Sequence, residues 1–375
     1  MNLRMIAATM AVTALTATPL WAETYNAASY LPPNNDTMKH GWLPFIDRVR
    51  DRTAGEVDIK MFAGGALLGP RAIAQGVRDG VADVGYLVAH YHPSEFPYTG
   101  GLLMALAGLR TDPVPVTAAA NELLFNCAPC QEEMSRNGLV FTGVSAVTPM
   151  AIIANQTIET KDDFAGLKLR TGGRFWDDFV NTLGGTPVSL PGAEFYEALN
   201  RGVVDGVMTV PSSMSTYSLD DIATFVLDAR IGVTRSQLTF AFNDDAWNRM
   251  NEDSRKIILE EATKSNLDIA WGYLQSGEEA FKTARDKGVV IERPKGDLAD
   301  AIEAYNQQSI DHAITQATDE FGIADAEAFV EEAQRLQDKW NAIWEETGND
   351  IEAFKARALE EMTSTVDAAT YGIKD

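Results

Sequence analysis

Hydrophobic and polar positions between residues 166 and 211 follow two different periods, which predict strands joined by helices. In 167–170, leucines alternate with a lysine and an arginine, which is the two-residue period of a strand with one apolar face. Phe175, Phe179 and Leu183 then recur at four-residue spacing along one helical face, and a pair of glycines ends that helix. The next predicted elements are a strand over 187–190, a helix over 192–200 and a strand ending at Pro211.

Arg170 lies at the end of the first of these strands. Strands joined by helices in this order form right-handed βαβ units, and ligands of such sheets bind outside the carboxyl ends of the strands. An arginine at that edge presents a planar fork of N–H donors that matches a carboxylate. Arg170 is therefore the first candidate for an anion-binding residue. The alternative is an internal partner for Arg170, such as Glu194 or Asp205.

The amino-terminal part of the chain repeats the same order of elements. The pattern predicts strands over 24–30, 57–62 and 83–88, with helices over 37–52 and 71–79 between them. A chain of this length exceeds what one hydrophobic core usually holds, so two lobes are expected. Each lobe is predicted to be an open α/β sheet.

The remaining elements connect the two lobes and cover them. Between 253 and 287 the chain contains no proline, which predicts one helix of about 50 Å; the alternative is two helices broken near Gly272 and Gly277. The residues after about 293 are predicted to be almost wholly helical. The other predictions are a single helix over 113–137, strands over 139–145, 225–231 and 237–243, and a strand that opens the second lobe near Thr148 to Ile152.

The amino terminus has the features of a secretory signal peptide. Arg4 precedes a short apolar stretch, and Ala22 is a small residue at the expected cleavage point. Removal of Arg4 leaves 30 basic residues against 54 acidic ones, a formal charge of −24. This charge argues against nucleic acid or an anionic membrane as a partner, although a buried arginine still attracts an anion locally. The alternative to cleavage is an amino-terminal membrane anchor.

Cys127 and Cys130 are the two cysteines of the chain. In an exported protein this short spacing favours a structural disulfide over a redox pair. His90 and His92 share a strand face if the strand continues, but two ligands without a third make a weak metal signal, and a surface or cleft-wall pair is favoured. The glycine-rich loop 64–69 lacks the Gly-Lys-Ser/Thr ending of a phosphate loop. No cofactor is predicted.

Three segments in order resemble a known family. The runs GLKLR (166–170), GTPV (185–188) and EFYEALNRGVVDG (194–206) are similar to motifs of the DctP-like periplasmic solute-binding proteins of TRAP transporters. The run around 57–86 resembles the amino-terminal lobe of the same family. The resemblance implies a two-lobed α/β fold of the type II periplasmic-binding-protein kind, with a long helix across both lobes. It also implies that Arg170 binds the carboxylate of the transported solute.

Two positions depart from the family pattern. Many relatives have a second arginine in the strand that here reads GVSAV (143–147), which argues against a dicarboxylate held by two arginines. The family's Glu-Asn pair after V-D-G is replaced by Val207-Met208-Thr209, so the cleft is expected to be less polar than usual. Arg174 either assists Arg170 or faces solvent. The apolar and aromatic candidates for the rest of the pocket, each of which is alternatively a core residue, are Tyr30, Tyr86, Met150, Phe175, Trp176, Met208 and Phe240.

The resemblance implies an extracytoplasmic receptor that closes on a small organic acid and docks on a membrane permease made of small and large components. The alternatives are an exported enzyme, for which no G-x-S-x-G or H-E-x-x-H motif is present, and an adhesin or scaffold. A monomer is expected, or a homodimer through the carboxy-terminal helices. The predicted division is 1–22 signal peptide, 23–147 plus 236–270 first lobe, 148–235 plus 271–345 second lobe, and 346–375 carboxy-terminal extension.

Overall fold

A computed structural model describes residues 23–103, 106–109 and 112–373. The predicted signal peptide therefore lies outside the described residues. Twelve strands of the described part form two sheets. They are β1 Glu23–Ala28, β2 Val57–Phe62, β3 Val84–Val88, β4 Leu139–Val140, β5 Val144–Ser145, β6 Met150–Ala154, β7 Lys168–Thr171, β8 Thr186–Ser189, β9 Gly206–Thr209, β10 Phe225–Ile231, β11 Gln237–Asn243 and β12 Val290–Glu292.

Helices cover the faces of both sheets. In chain order the α-helices are α1 Leu43–Arg52, α2 Ile73–Arg78, α3 Pro113–Phe125, α4 Ala128–Arg136, α5 Arg174–Thr182, α6 Phe195–Asn200, α7 Ser213–Thr216, α8 Asp244–Arg249, α9 Glu252–Asp286, α10 Gly296–Phe321, α11 Ala326–Glu346 and α12 Ile351–Glu361. A π-helical turn, Thr37–Trp42, precedes α1. Alternation of strands and helices gives the predicted α/β class.

The first sheet has the order β2-β1-β3-β11-β4, with β5 paired to β11, and the second has the order β12-β10-β6-β9-β7-β8. In the second sheet β7 runs parallel to both β8 and β9, so the carboxyl ends of these three strands share one edge. Arg170 lies opposite Val188 and Val207 at that edge. The sheet topology therefore confirms that Arg170 lies at the strand end predicted for it.

Two stretches of chain cross between the sheets side by side. One joins β5 to β6, and the other joins β10 to β11. The Val147 N–H donates to the Thr234 carbonyl at 3.1 Å, and the Met150 N–H donates to the Gly232 carbonyl at 3.4 Å. These bonds tie the two crossings together, as a two-stranded hinge requires.

Helix α9 is one continuous helix of 35 residues that packs on both lobes. Ile258 and Leu259 belong to the core of the first sheet, whereas Ala280 and Phe281 belong to the core of the second. The prediction of a single long helix is therefore confirmed, and the alternative of two helices is wrong. At about 1.5 Å per residue the helix is about 52 Å long, which lets it reach both cores.

Close packing explains why α9 carries a glycine at position 272. A Cβ on Gly272 would lie 2.4 Å from the His40 ring, whereas a Cβ on Gly277 would lie at an ordinary 3.5 Å from Pro211. We expect Gly272→Ala to lower the free energy of unfolding by about 1–3 kcal/mol through overpacking. Gly277→Ala should raise it by up to about 1 kcal/mol, because alanine favours the helix. Urea unfolding of the two variants measures both effects, and equal effects at the two positions would contradict the packing argument.

The predicted helix over 113–137 is two helices, α3 and α4, so that prediction is wrong. The chain leaves the helical conformation at Cys127, whose φ and ψ are −91° and 98°, and its sulfur accepts the N–H of Cys130 as an amino-terminal cap of α4. Pro129 in the first turn of α4 has no N–H to continue a helix from α3. Cys127 and Cys130 form the disulfide that the export signal suggested.

The carboxy-terminal residues pack mainly on the first lobe. Helix α11, which the sequence assigned to the second lobe, contributes Leu336 and Trp340 to the core that contains α3. Beyond it, the Arg255 Nε–H donates to the Ala368 carbonyl at 2.9 Å, and the Trp247 indole N–H donates to the Tyr371 carbonyl at 2.8 Å. We therefore propose that α11 and the extension belong with the first lobe. The other lobe boundaries stay predictions.

Candidate functional site

The Arg170 side chain is buried between the lobes and is held by backbone carbonyls. Its Nε–H donates to the Leu190 carbonyl at 3.0 Å, and its Nη1 donates to the Met208 carbonyl at 3.3 Å. The guanidinium carbon lies 4.3 Å from the centre of the Phe195 ring, which is a cation–π distance. These contacts fix the plane of the guanidinium before any ligand arrives.

No described carboxylate lies within ion-pair distance, 4.0 Å, of Arg170, although the residue is only 7% exposed. Asp205 accepts the backbone N–H of Lys168 at 2.8 Å, and Glu194 is exposed. Asp177 accepts the Thr171 hydroxyl. Burial accordingly lowers the pKa of Arg170, and the internal partners proposed from the sequence do not compensate its charge.

Tyrosines from both lobes lie near the guanidinium, and Tyr273 of α9 lies near Tyr86 and Tyr217. Tyr30 and Tyr86 of the first lobe pack with ring centres 5.4 Å apart. Tyr217 of the second lobe packs against Phe195 at 5.2 Å. Tyr91, at the carboxyl end of β3, places its hydroxyl within hydrogen-bonding reach of the guanidinium. The cluster therefore combines one cation with aromatic surfaces and phenol hydroxyls.

Burial keeps the phenols of Tyr30, Tyr86 and Tyr217 protonated. It raises the pKa of Tyr217 to about 12, and it raises the pKa values of Tyr30 and Tyr86 well above their usual value. The Tyr273 hydroxyl of α9 shares a 3.1 Å hydrogen bond with the Thr37 hydroxyl, which fixes its orientation. Neutral phenols donate hydrogen bonds and do not repel an anion, so the cluster as a whole suits a negatively charged ligand.

His90 joins the two lobes through both ring nitrogens. Nε2 lies 2.8 Å from the Gly172 carbonyl of the second lobe, and Nδ1 lies 2.6 Å from the Ser236 hydroxyl in the crossing. A carbonyl only accepts, so Nε2 carries the proton and Nδ1 accepts from Ser236. Burial, together with Arg170 and His92, lowers the pKa of His90 to about 4. His90 is thus a neutral bridge rather than a metal ligand, and it is a cleft-wall residue as the sequence favoured.

The structure separates the predicted pocket residues into two groups. Tyr30 lies near Arg170 and packs against Tyr86. Met208 contacts Arg170 only through its backbone carbonyl, and its side chain belongs to a hydrophobic core. Met150, Phe175, Trp176 and Phe240 lie in hydrophobic cores instead. Phe240 packs between Trp42 and Phe45, with ring centres 4.7 and 4.0 Å away.

Trp176 and Phe175 lie in the core of the second sheet. The Trp176 indole N–H donates to the Ile231 carbonyl at 2.8 Å, and the Phe175 ring packs on the Tyr305 ring with centres 5.4 Å apart. Arg174 faces solvent, with its Nε 3.0 Å from Asp178 and its side chain 56% exposed. Of the two alternatives for Arg174, assisting Arg170 or facing solvent, the structure therefore shows the second.

Sequence reasoning did not single out Tyr91, Tyr217, Tyr273 or Phe195, and it did not place His90 beside Arg170. It also passed over Arg235 in the second crossing, a 3% exposed arginine whose pKa burial lowers to about 9. The Arg235 Nη2 donates to the Ala107 carbonyl at 3.4 Å. Within residues 23–103, 106–109 and 112–373, no three histidine, cysteine or acidic side chains are grouped as a metal site would need.

Comparison with known proteins gives a family match across most of the chain. The DctP model, described as bacterial extracellular solute-binding protein, family 7, matches residues 28–316. A solute-binding protein of Albidiferax ferrireducens is 24% identical over 252 residues, which cover 62% of this chain and 71% of that protein. In the described part of the chain, no helix is long and apolar enough to cross a membrane.

Solved structures share the fold. A TRAP solute binding protein from Rhodoferax ferrireducens, in complex with copurified benzoate, superposes with a TM-score of 0.76 at 18% identity, covering 86% of this chain and 99% of that chain. A marine metagenome TRAP solute binding protein specific for aromatic acid ligands, from an unidentified microbe, gives a TM-score of 0.74 at 23% identity, covering 84% and 99%. The two-lobed fold is thereby confirmed. The family consists of receptors, so the exported-enzyme alternative is not supported. The chain belongs to the DctP family, the bacterial extracellular solute-binding proteins of family 7.

Proposed function

We propose that the protein captures a small carboxylate between its lobes, that Arg170 binds the carboxylate group, and that the closed receptor delivers the solute to TRAP membrane subunits. One observation carries the proposal: a guanidinium that is 7% exposed and has no described carboxylate within 4.0 Å. A buried charge without a counter-charge costs several kcal/mol. A ligand carboxylate would supply that counter-charge.

The free donors of Arg170 define how a carboxylate would bind. An arginine has five N–H groups, of which Nε–H and one Nη1–H already donate to carbonyls. No backbone carbonyl among the described residues accepts from Nη2 of Arg170. Nη2, together with the second N–H of Nη1, would be available to donate to the two oxygens of a carboxylate. The Tyr91 hydroxyl, which is hydrogen-bonded to the guanidinium, would add a further contact to the carboxylate.

The aromatic surfaces around Arg170 favour a solute with one carboxylate and a ring or other apolar body. Tyr30 and Tyr86 form an aromatic pair near Arg170, Phe195 packs on the guanidinium, and one guanidinium pairs well with one carboxylate. The benzoate and metahydroxyphenylacetate bound by two proteins of the same fold are solutes of this kind. Arg170 together with these rings supports an aromatic monocarboxylate over a dicarboxylate.

Closure of the lobes would complete the site. His90 and Tyr91 belong to the first lobe, whereas Arg170 and Gly172 belong to the second, so their contacts form only when the lobes meet. A ligand that contacts both lobes stabilises the closed form by its difference in affinity for the two forms. Cleavage after Ala22, export to the periplasm and a monomeric or dimeric state remain parts of this proposal. The apolar side of α12, with Phe354 and Ala358, is buried within the chain, which favours the monomer.

Thermal unfolding with acids and their amides tests the ligand class. We expect benzoate or a hydroxylated phenylacetate, at a hundredfold excess over its Kd, to raise the free energy of unfolding by about 2.7 kcal/mol. The primary amide of the same acid should have no measurable effect, because it lacks the charge that Arg170 binds. Equal stabilisation by acid and amide would contradict recognition of the carboxylate, and turnover of the solute would contradict the receptor function.

A further inference from the structure

A cavity lies on the seam between the lobes and is lined by residues other than those that contact Arg170. Its volume is about 190 Å³. Asn34 and Asp36 line it from the first lobe, Thr216 from the second, and Ser276 and Glu279 from α9. The Asn34 amide donates to the Thr216 carbonyl at 3.2 Å across the rim. The cavity therefore has walls from both lobes and from the helix that joins them.

Asp36 gives this cavity a buried carboxylate with an unpartnered oxygen. The residue is 2% exposed, and its Oδ2 accepts no hydrogen bond from the described residues. Its Oδ1 lies 3.8 Å from His40 Nε2, beyond hydrogen-bonding distance. The carboxylate does not cap the helical turn that follows it. A buried carboxylate that does not cap a helix, and whose nearest described basic group is a histidine 3.8 Å away, is expensive unless a further positive group binds to it.

The other lining groups make the cavity suitable for a hard cation. Hydroxyl and amide oxygens from Ser276, Thr216 and Asn34 are oxygen donors, and Glu279 adds a second carboxylate. Lys39 also lines the cavity, but it is exposed and has no described carboxylate within 4.0 Å. Glu279 lies 3.7 Å from the exposed Lys282, whereas Asp36 has no described lysine or arginine within 4.0 Å. One positive group bound at Asp36 would supply that partner.

We propose that this seam cavity binds a small monovalent cation, either a metal ion or a primary ammonium group, with Asp36 as its main anionic ligand. About 190 Å³ holds such an ion together with several waters, since each water occupies about 30 Å³. Because both lobes and α9 supply the walls, cation binding favours the closed form. That coupling to closure rests on the proposed capture function, whereas binding at Asp36 does not involve Arg170.

Thermal unfolding in different chloride salts at one fixed ionic strength tests the cavity. Sodium, potassium and methylammonium chlorides are titrated against choline chloride, whose quaternary ammonium has no N–H donors. We expect a saturable rise in melting temperature with at least one of the first three salts. A response to sodium or potassium alone identifies a metal ion, and a response to methylammonium alone identifies an ammonium group. Identical melting in all four salts would overturn the proposal.

Three variants locate the effect. Asp36→Asn keeps the shape of the side chain but removes the charge, so the cation response should disappear. Glu279→Gln changes an exposed helix residue, so folding is not in question, and it should weaken the apparent cation affinity about tenfold. Glu278→Gln, its exposed neighbour that does not line the cavity, should leave the response unchanged.

The Arg170→Ala variant separates this proposal from the capture function. It should retain the cation response even where it no longer responds to carboxylates. An unchanged cation response in both Asp36→Asn and Glu279→Gln would show that the ion binds elsewhere and would overturn the assignment.

Discussion

Replacing Arg170 by alanine should weaken carboxylate binding by more than 100-fold while the unliganded protein still folds. The loss follows from leaving a desolvated carboxylate without its counter-charge, which costs about 3–5 kcal/mol in buried pairs. The unliganded protein loses two hydrogen bonds to the Leu190 and Met208 carbonyls and one cation–π contact. It also loses a buried charge that has no described carboxylate partner, so the two effects offset each other. Calorimetric titration with the acid identified by thermal unfolding measures the change.

Two further variants make the Arg170 result specific. Arg174→Ala removes an arginine four residues away that is 56% exposed and pairs with Asp178, and it should leave affinity within about twofold because exposed ion pairs contribute little. Arg170→Lys keeps the charge but loses the fork, and it should give an intermediate loss. Affinity that is unchanged in Arg170→Ala, or equally reduced in Arg174→Ala, would remove Arg170 from the binding site.

Much of the fold could be predicted because the strands are short and strongly patterned. The bounds of β2, β10 and β11 agree with the sequence prediction at both ends. The long helix α9 was also predictable, since the absence of proline and the amino-terminal cap by Asn251 define it locally. These elements are specified by neighbouring residues in the chain, so their prediction needed no tertiary information.

Other elements depend on backbone conformations that hydrophobic periodicity does not report. The predicted strand over 139–145 is two short strands, β4 and β5, because Gly143 adopts a φ of +132° between them. A Cβ at that position would lie 2.4 Å from the Asn266 side chain of α9, so the break also makes room for the helix. A distant residue thus decides where this strand is interrupted, and the local sequence could not show it.

The candidate site was predictable only where one strand end defines it. Arg170 is a charged residue at the carboxyl end of a parallel strand, which topology alone marks as a ligand position. The same rule applied to β3 would have drawn attention to His90 and Tyr91, two and three residues after its end. Tyr217 follows the short helix α7, and Tyr273 lies within α9. Only the fold of the whole chain brings them to the site.

Some aromatic residues predicted to line the pocket are core residues instead, and they show where prediction from the sequence fails. Phe175 and Trp176 follow the Arg170 strand closely, but α5 turns both toward the sheet and α10. Phe240 lies on a strand that is buried along its whole length, so neither face opens to the cleft. A charged residue close in sequence to a strand end is therefore a good candidate for ligand binding, because a buried charge needs a partner. An apolar residue at the same place is not, because it packs equally well in a core.

Solute affinity should fall as the pH drops below about 6.5, because His90 must stay neutral in the closed protein. Burial lowers its pKa to about 4 in the closed form, whereas an exposed histidine in the open form titrates near 6.5. Above pH 6.5 both forms are neutral and the bridge to Gly172 and Ser236 contributes fully. Between pH 6.5 and 4 the open form takes up a proton that the closed form resists, so closure is progressively disfavoured. The expected loss of affinity is about tenfold at pH 5.5 and approaches about 3 kcal/mol near pH 4.

Calorimetric titration between pH 7.5 and 5 in wild type and His90→Gln separates this effect from protonation of the solute. Glutamine has an amide N–H for the Gly172 carbonyl but no titratable group, so its affinity should change with pH only as the solute itself is protonated. His92→Gln is the matched control, because His92 lies two residues away and pairs with Glu95 at 3.1 Å rather than with the second lobe. It should keep most of the pH dependence of the wild type, because burial, the largest cause of the lowered His90 pKa, is unchanged. A pH profile that survives in His90→Gln, or that disappears in His92→Gln, would show that a group other than His90 controls closure. The two other basic residues that act on the pKa of His90 are Arg170 and His92.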